Sequence, residues 1–118
     1  MSFAFEPART AIRHSGSVVI VDLGGRVTVG EGAGLLRNTI KELVAGKHKH
    51  VILNLKELTY VDSAGLGEMV GACTSVRNLG GDMKLVGPQP RIAHLLEMTK
   101  LSTLFAIFPD EAAALQSF

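Results

Sequence analysis

The residues best suited to chemistry stand together at positions 62–67, Asp-Ser-Ala-Gly-Leu-Gly. They follow an apolar strand pattern at 51–55 and a connector at 56–59, which we predict to be a short loop, and they open an apolar helix pattern. Asp62 and Ser63 are good N-cap residues, because their side-chain oxygens can accept from the free N–H groups of a first helical turn. A helix N-terminus also stabilises an anion, so Ser63 is a candidate either for a simple cap or for a phosphorylation site.

Gly65 and Gly67 fall in the first turns of this helix, where glycine is a poor helix former. Their predicted benefit is access, because a surface without side chains lets another protein approach Ser63 closely. Asp62 has two alternative roles, to cap the helix or to orient the Ser63 hydroxyl toward an incoming phosphate. Neither role makes the chain an enzyme. If Ser63 is phosphorylated, the chain would be the substrate of a kinase, and the nucleotide and metal would be bound by the other protein.

The elements that must position this stretch follow the order β-β-α-β-α-β-α-β-α. Strands at 10–14 and from Val18 onward are separated by a Ser-Gly-Ser turn signal, which predicts a hairpin. A helix that ends near Gly46 lies between two apolar strands, which predicts parallel pairing. The fold class is therefore α/β, with a mixed sheet of four to five strands packed against about four helices. The remaining predicted elements are strands at 83–86 and 104–108, a helix after residues 87–90 and a terminal helix from residues 109–111.

The exposed faces of the helices before and after the 51–55 strand are predicted to form a docking surface. Met69 falls on the apolar face of its helix, so it is also a candidate for the core. Cys73 lies on the same apolar face and is predicted to be an inert core residue. The docking candidates are Arg37, Asn38, Glu68 and Met69.

The bulk composition fits one domain, residues 1–118, in which 47% apolar and 19% charged residues support a single buried core. A net charge of +1 gives no electrostatic footprint for direct nucleic-acid binding. Residues 1–13 lack the apolar region of a signal peptide, and no stretch approaches the ~18 apolar residues of a membrane span, so no membrane insertion is expected. The single cysteine fits a reducing compartment, and we expect a cytoplasmic protein of undetermined oligomeric state.

Other candidate sites are weaker on chemical grounds. The spacing G-x-G-x-G at 30–34 matches neither the dinucleotide fingerprint nor the P-loop, so we predict a flexible loop before a helix, with a nucleotide site as the alternative. His48 and His50 are flanked by lysines that repel a cation, and no third ligand is evident, so no metal site and no cofactor are predicted. No Ser-His-Asp or Cys-His arrangement can be placed from the spacing, and no enzymatic activity is predicted.

The stretch at 62–67 after an apolar strand resembles the signature of the STAS domain, in its bacterial anti-sigma factor antagonist branch. The order of strand and helix signals resembles that family from about residue 11 to residue 118. The resemblance implies that Ser63 is phosphorylated by a partner kinase, which is often the anti-sigma factor itself. Unmodified, the chain would bind an anti-sigma factor of the serine-kinase type and so regulate sigma-factor-dependent transcription. Phosphorylated at Ser63, it would release that partner, and a phosphatase would reset it.

The resemblance also implies supporting residues around the serine. The loop that contains Gly30 is expected near Ser63 and in contact with the partner. Thr28 stands where many relatives carry an acidic residue, and Ala64 stands where relatives often have Ser or Thr, so one competing phosphoacceptor is removed. The implied support and docking residues are Asp62, Ala64, Gly65, Gly67, Thr28 and Gly30.

Two other hypotheses remain open at the sequence level. Single STAS domains also serve as subunits of stress-signalling assemblies or as small partners of membrane transport ATPases, and in those settings the serine is silent. A nucleotide-binding regulatory module is the third hypothesis. A large stable complex insensitive to Ser63→Asp would favour the first of these two, and micromolar binding of ATP or GTP to the lone protein would favour the second.

Overall fold

In the computed structural model of the chain, which describes residues 6–118, a mixed sheet carries three helices on one face and a short fourth helix on the other. The predictions for residues 1–13 and for a domain over 1–118 extend to residues 1–5, which lie outside the described residues. The strands are β1 (Arg9–Ser15), β2 (Val18–Val27), β3 (His50–Asn54), β4 (Leu58–Val61), β5 (Asp82–Val86) and β6 (Ala106–Phe108). The helices are α1 (Glu31–Ala45), α2 (Ser63–Asn78), α3 (Pro90–Met98) and α4 (Glu111–Gln116).

The sheet follows the order β1-β2-β3-β5-β6. β1 and β2 form the predicted antiparallel hairpin, in register from Arg9 opposite Gly24 to Ser15 opposite Val18. β2, β3, β5 and β6 are parallel, as expected where a helix or a longer connection separates successive strands. The carboxyl ends of the parallel strands therefore lie at one edge of the sheet, where the connections to helices begin.

One strand was missed by the sequence analysis. The prediction of a loop at 56–59 is wrong in its second half, because Leu58–Val61 forms β4 and pairs in parallel with Gly25–Val27 of β2. A run of four residues is too short to show an alternating pattern, although the Leu58 side chain is fully buried. The described residues therefore contain a sheet of six strands rather than four to five.

The main core lies between the sheet and the helices α1, α2 and α3. Leu36 and Ile40 of α1 and Met69 of α2 are buried against alternate residues of β2, β3 and β5. Burying one such side chain contributes about 1.5–3 kcal/mol. A smaller cluster on the opposite face joins Ile20 and Ile52 to Ala114 of α4. This packing holds the start of α2 at a fixed place over the carboxyl end of the sheet.

α1 begins earlier than the sequence predicted. The flexible loop expected at 30–34 is a helix from Glu31 onward, and Gly30 is its N-cap residue. Gly32 is buried, and a Cβ there would lie 2.9 Å from the carbonyl oxygen of Arg26. Glycine at this position therefore allows α1 to start in close contact with β2.

Candidate functional site

Ser63 is the first residue of α2 and is exposed to solvent. Asp62 precedes it as the N-cap, with extended backbone, and its Oδ1 accepts from the N–H of Gly65 at 2.9 Å. The N-cap of α2 is therefore Asp62, and the prediction that Ser63 could be the N-cap is wrong. A hydroxyl that is free of the capping role remains open to approach from outside.

The Asp62 carboxylate makes a second bond that the sequence did not indicate. Its Oδ2 accepts from the backbone N–H of Val29 at 3.0 Å, which joins the connection between β2 and α1 to the start of α2. The N–H groups of Gly65 and Val29 hold the pKa of the Asp62 carboxyl below its usual value, because they stabilise the anion. Capping is thus the observed role of Asp62, and orientation of the Ser63 hydroxyl stays a prediction.

The two glycines at the start of α2 have different surroundings. Gly65 is buried, and a Cβ there would lie 2.3 Å from the Val27 carbonyl oxygen and 2.5 Å from Cγ2 of Val61. The interpretation of Gly65 as an access residue is therefore wrong, because glycine is needed for contact between α2 and β2. Gly67 is exposed and has open space around its missing side chain, which fits the access expected of it.

The connection between β2 and α1 consists of residues 28–30, called here the 28–30 loop. Thr28 is half-buried, and its carbonyl oxygen accepts from the N–H of Ala33 at 2.9 Å. Gly30 has φ 95°, a value that favours glycine and lets the chain turn into the helix. The loop lies beside the start of α2 through its bond to Asp62, so Thr28 and Gly30 belong to the same end of the molecule as Ser63.

The docking candidates on the two helices lie in different environments. Arg37 of α1 and Glu68 of α2 form an ion pair at 2.9 Å across the two helices, and Asn38 is exposed. Met69 is fully buried, so its assignment to the core is confirmed and its assignment to the docking surface is wrong. Ala64, directly after the serine, is half-buried.

Two exposed apolar side chains near this end were missed by the sequence analysis. Val29 in the 28–30 loop is 75% exposed, and Tyr60 at the end of β4 is 36% exposed. The guanidinium of Arg26 lies 4.3 Å from the centre of the Tyr60 ring, a cation–π contact. The sequence did contain a signal for Val29, because it is an apolar residue that lies on no predicted core face.

The other side chains with possible chemistry lie apart from this end. Cys73 is buried in the core, and burial raises the pKa of its thiol, which fits an inert residue. His48 lies 5.9 Å from His14 between ring centres, and His50 contacts Phe118. Within residues 6–118 no three His, Cys, Asp or Glu side chains are grouped as metal ligands.

The fold and the site together define a small mixed-sheet α/β domain that presents a hydroxyl at the start of a helix. Across the described part of the chain, no helix is both long enough and apolar enough to cross a bilayer. The chain belongs to the STAS domain family, whose family model matches residues 9–114.

Curated and solved relatives agree with this assignment. The anti-sigma F factor antagonist of Paenibacillus polymyxa is 30% identical over 105 residues, which cover 88% of this chain and 89% of that protein. An anti-sigma factor antagonist from Mycobacterium paratuberculosis matches with a TM-score of 0.82 and 20% identity, over 94% and 93% of the two chains. The Bacillus cell fate determinant SpoIIAA in its phosphorylated form matches with a TM-score of 0.72 and 18% identity, over 92% and 98%. At such identities the two structural matches show the fold.

Proposed function

We propose that this protein is an anti-sigma factor antagonist whose binding is switched by phosphorylation of Ser63. Unmodified, it binds an anti-sigma factor of the serine-kinase type and thereby frees a sigma factor. Phosphorylated by that partner, it dissociates, and a phosphatase restores it. The observation that carries the proposal is the exposed Ser63 at the first position of α2, beside an N-cap that leaves its hydroxyl free of the capping role. The curated relative that is 30% identical is named for antagonism of an anti-sigma factor, which supports the class of partner.

The physical basis of the switch is charge at a contact surface. A phosphoryl group adds about −1.5 to −2 charges and three acceptor oxygens. A partner that packs over the unmodified serine then meets repulsion and the desolvation of a dianion. The start of α2 itself tolerates the added anion because of the helix dipole, so the fold is retained.

The test starts with intact-mass measurement of the protein purified from its own host. A fraction heavier by one phosphoryl group, mapped to Ser63 and absent from Ser63→Ala, supports the switch. The anti-sigma factor is then identified by capture with Ser63→Ala, and its affinity for Ser63→Asp is measured. We expect a loss of roughly tenfold or more, since burying an unpaired carboxylate at an interface is strongly unfavourable.

A matched control separates position from charge. Thr74 is exposed further along the same helix, so Thr74→Asp adds the same charge away from the helix start. Thr74→Asp should bind the anti-sigma factor as the unmodified protein does. Equal binding of Ser63→Asp and Ser63→Ala would refute the switch and favour a scaffold subunit in which the serine is silent.

A further inference from the structure

One side chain links the candidate phosphorylation site to the 28–30 loop. Asp62 Oδ1 accepts from the Gly65 N–H at 2.9 Å within α2, and Oδ2 accepts from the Val29 N–H at 3.0 Å, 33 residues earlier in the chain. The Asp62 N–H also donates to the carbonyl of Val27 at 3.3 Å. Asp62, the residue before Ser63, thus bonds both to the end of β2 and to the loop that follows β2.

The remaining hydrogen bonds of the loop run toward α1. The carbonyl oxygens of Thr28 and Gly30 accept from the N–H groups of Ala33 and Gly34, both at 2.9 Å. These bonds hold the loop to the first turn of α1. The orientation of the loop toward α2 therefore depends on the bond from the Val29 N–H to Asp62. The apolar side chain of Val29 is 75% exposed, so its position relative to the start of α2 depends on the same bond to Asp62.

A phosphoryl group on Ser63 would act on this arrangement directly. The group is attached to the residue next to Asp62 and carries more negative charge than the carboxylate. Both anions would compete for the N–H groups of the same first helical turn, including the Gly65 N–H that now donates to Asp62. Repulsion and competition for these donors both favour displacement of the Asp62 side chain from its present position.

We infer that Asp62 is a positioning residue that holds the 28–30 loop for docking and releases it when Ser63 is phosphorylated. The inference rests on the proposed function, in which Ser63 is modified and a partner docks at this end. Release would withdraw the exposed Val29 side chain from the docking surface at the same time as the phosphate repels the partner. The switch would then change shape as well as charge.

The isolated full-length chain is sufficient for the first test. Phosphoserine is placed at position 63 by genetic encoding, and amide hydrogen exchange is measured residue by residue by NMR. We expect the Val29 amide to exchange roughly tenfold faster, because a freed surface amide loses its acceptor. Phosphoserine at position 75, on the same helix, should leave Val29 unchanged. A Val29 amide with unaltered exchange in chains of confirmed phosphoserine content at position 63 would overturn the inference.

Asp62→Asn gives an independent test, because its one carbonyl oxygen can cap α2 while its amide group cannot accept from Val29. The variant should speed exchange at Val29 and leave Gly65 protected. Asp110 caps α4 through the N–H of Ala113 at 2.8 Å, and Asp110→Asn is the matched control that should change neither amide. Unchanged exchange at Val29 in Asp62→Asn would also overturn the inference.

Partner binding supplies a readout that a merely structural role would not move. In a double-mutant cycle, Asp62→Asn and Val29→Ala should weaken binding non-additively, since the first acts by misplacing the second side chain. Additive losses would contradict the positioning role. Failure of the proposed function has a different signature: Ser63 is unmodified in the host, or Ser63→Asp binds normally, whatever the Val29 amide shows in the isolated chain.

Discussion

Gly65 and Gly67 lie two positions apart in α2, yet replacing each by alanine should change stability in opposite directions. A Cβ on Gly65 would lie 2.3 Å from the Val27 carbonyl oxygen and 2.5 Å from Val61 Cγ2. Neither atom can rotate away as the end of a long side chain can, because one is backbone and the other is on a buried β-branched residue. The start of α2 would have to move outward.

The magnitude follows from two opposing terms. Overpacking of a dense site costs about 3 kcal/mol where backbone must move. Alanine recovers up to about 1 kcal/mol of helix propensity over glycine. Gly65→Ala should therefore lower the free energy of unfolding by about 2 kcal/mol, with a fall in Tm of about 8 °C at roughly 4 °C per kcal/mol for a domain of this size.

Gly67→Ala is the matched control, because open space surrounds the position and only the propensity term remains. It should raise the free energy of unfolding by about 1 kcal/mol. Gly71 is exposed in the same helix with similar open space, so Gly71→Ala should behave like Gly67→Ala. Agreement between these two variants would show that the helix responds to alanine in the ordinary way.

The assay is urea denaturation followed by far-UV circular dichroism, since the chain has no tryptophan and one tyrosine. The slope of the free energy with urea should match among the variants, so that midpoints report stability. A Gly65→Ala protein as stable as the unsubstituted chain would refute the argument that α2 approaches β2 through this glycine.

Three further outcomes are expected. Ser63→Ala should change the free energy of unfolding by no more than about 0.5 kcal/mol in urea denaturation, because Asp62 is the cap and only helix propensity differs. The hydrogen bonds from Arg13 lower the pKa of Asp22 from 3.8, so its stabilisation exists above that pH and is lost as pH falls through the folded value; the stability gap between the unsubstituted chain and Asp22→Asn should shrink in acid. Burial raises the pKa of Cys73, so Ellman's reagent should label its thiol in urea and not in the folded protein.

The order of elements was accessible from the sequence because each long element carries its own periodic signal. Leu36, Ile40 and Leu43 follow the helical repeat and are buried, and the Pro-Asp-Glu start of α4 is confirmed with Asp110 as its cap. The missed β4 carries no such repeat over four residues, and its pairing with β2 depends on the irregular register between Gly25 and Arg26. The formation of β4 therefore depends on its contacts with β2, which is distant in the sequence.

The site was predictable where a residue acts through its own helix and unpredictable where it acts across the fold. The Asp-Ser pair indicated a cap and an open hydroxyl, which local chemistry determines. The bond from Asp62 to Val29 crosses 33 positions and has no local signature. Gly65 was misinterpreted for the same reason, because the Val27 carbonyl that requires it belongs to another strand.

The start of α2 has a buried side, where Gly65 contacts β2, and an exposed side, where Ser63 can be modified. The close contact between Gly65 and Val27 fixes the helix against the sheet. A phosphoryl group on Ser63 would be attached on the exposed side of the helix, away from that contact. The modification can therefore alter docking and the 28–30 loop without unseating the helix. A chain with phosphoserine at position 63 should accordingly lose no more free energy of unfolding than the ~1 kcal/mol of a lost cap, while losing its partner. A large fall in the urea midpoint would mean that the phosphoryl group acts by unfolding α2. That result would contradict the argument that the contact between Gly65 and Val27 keeps the helix in place.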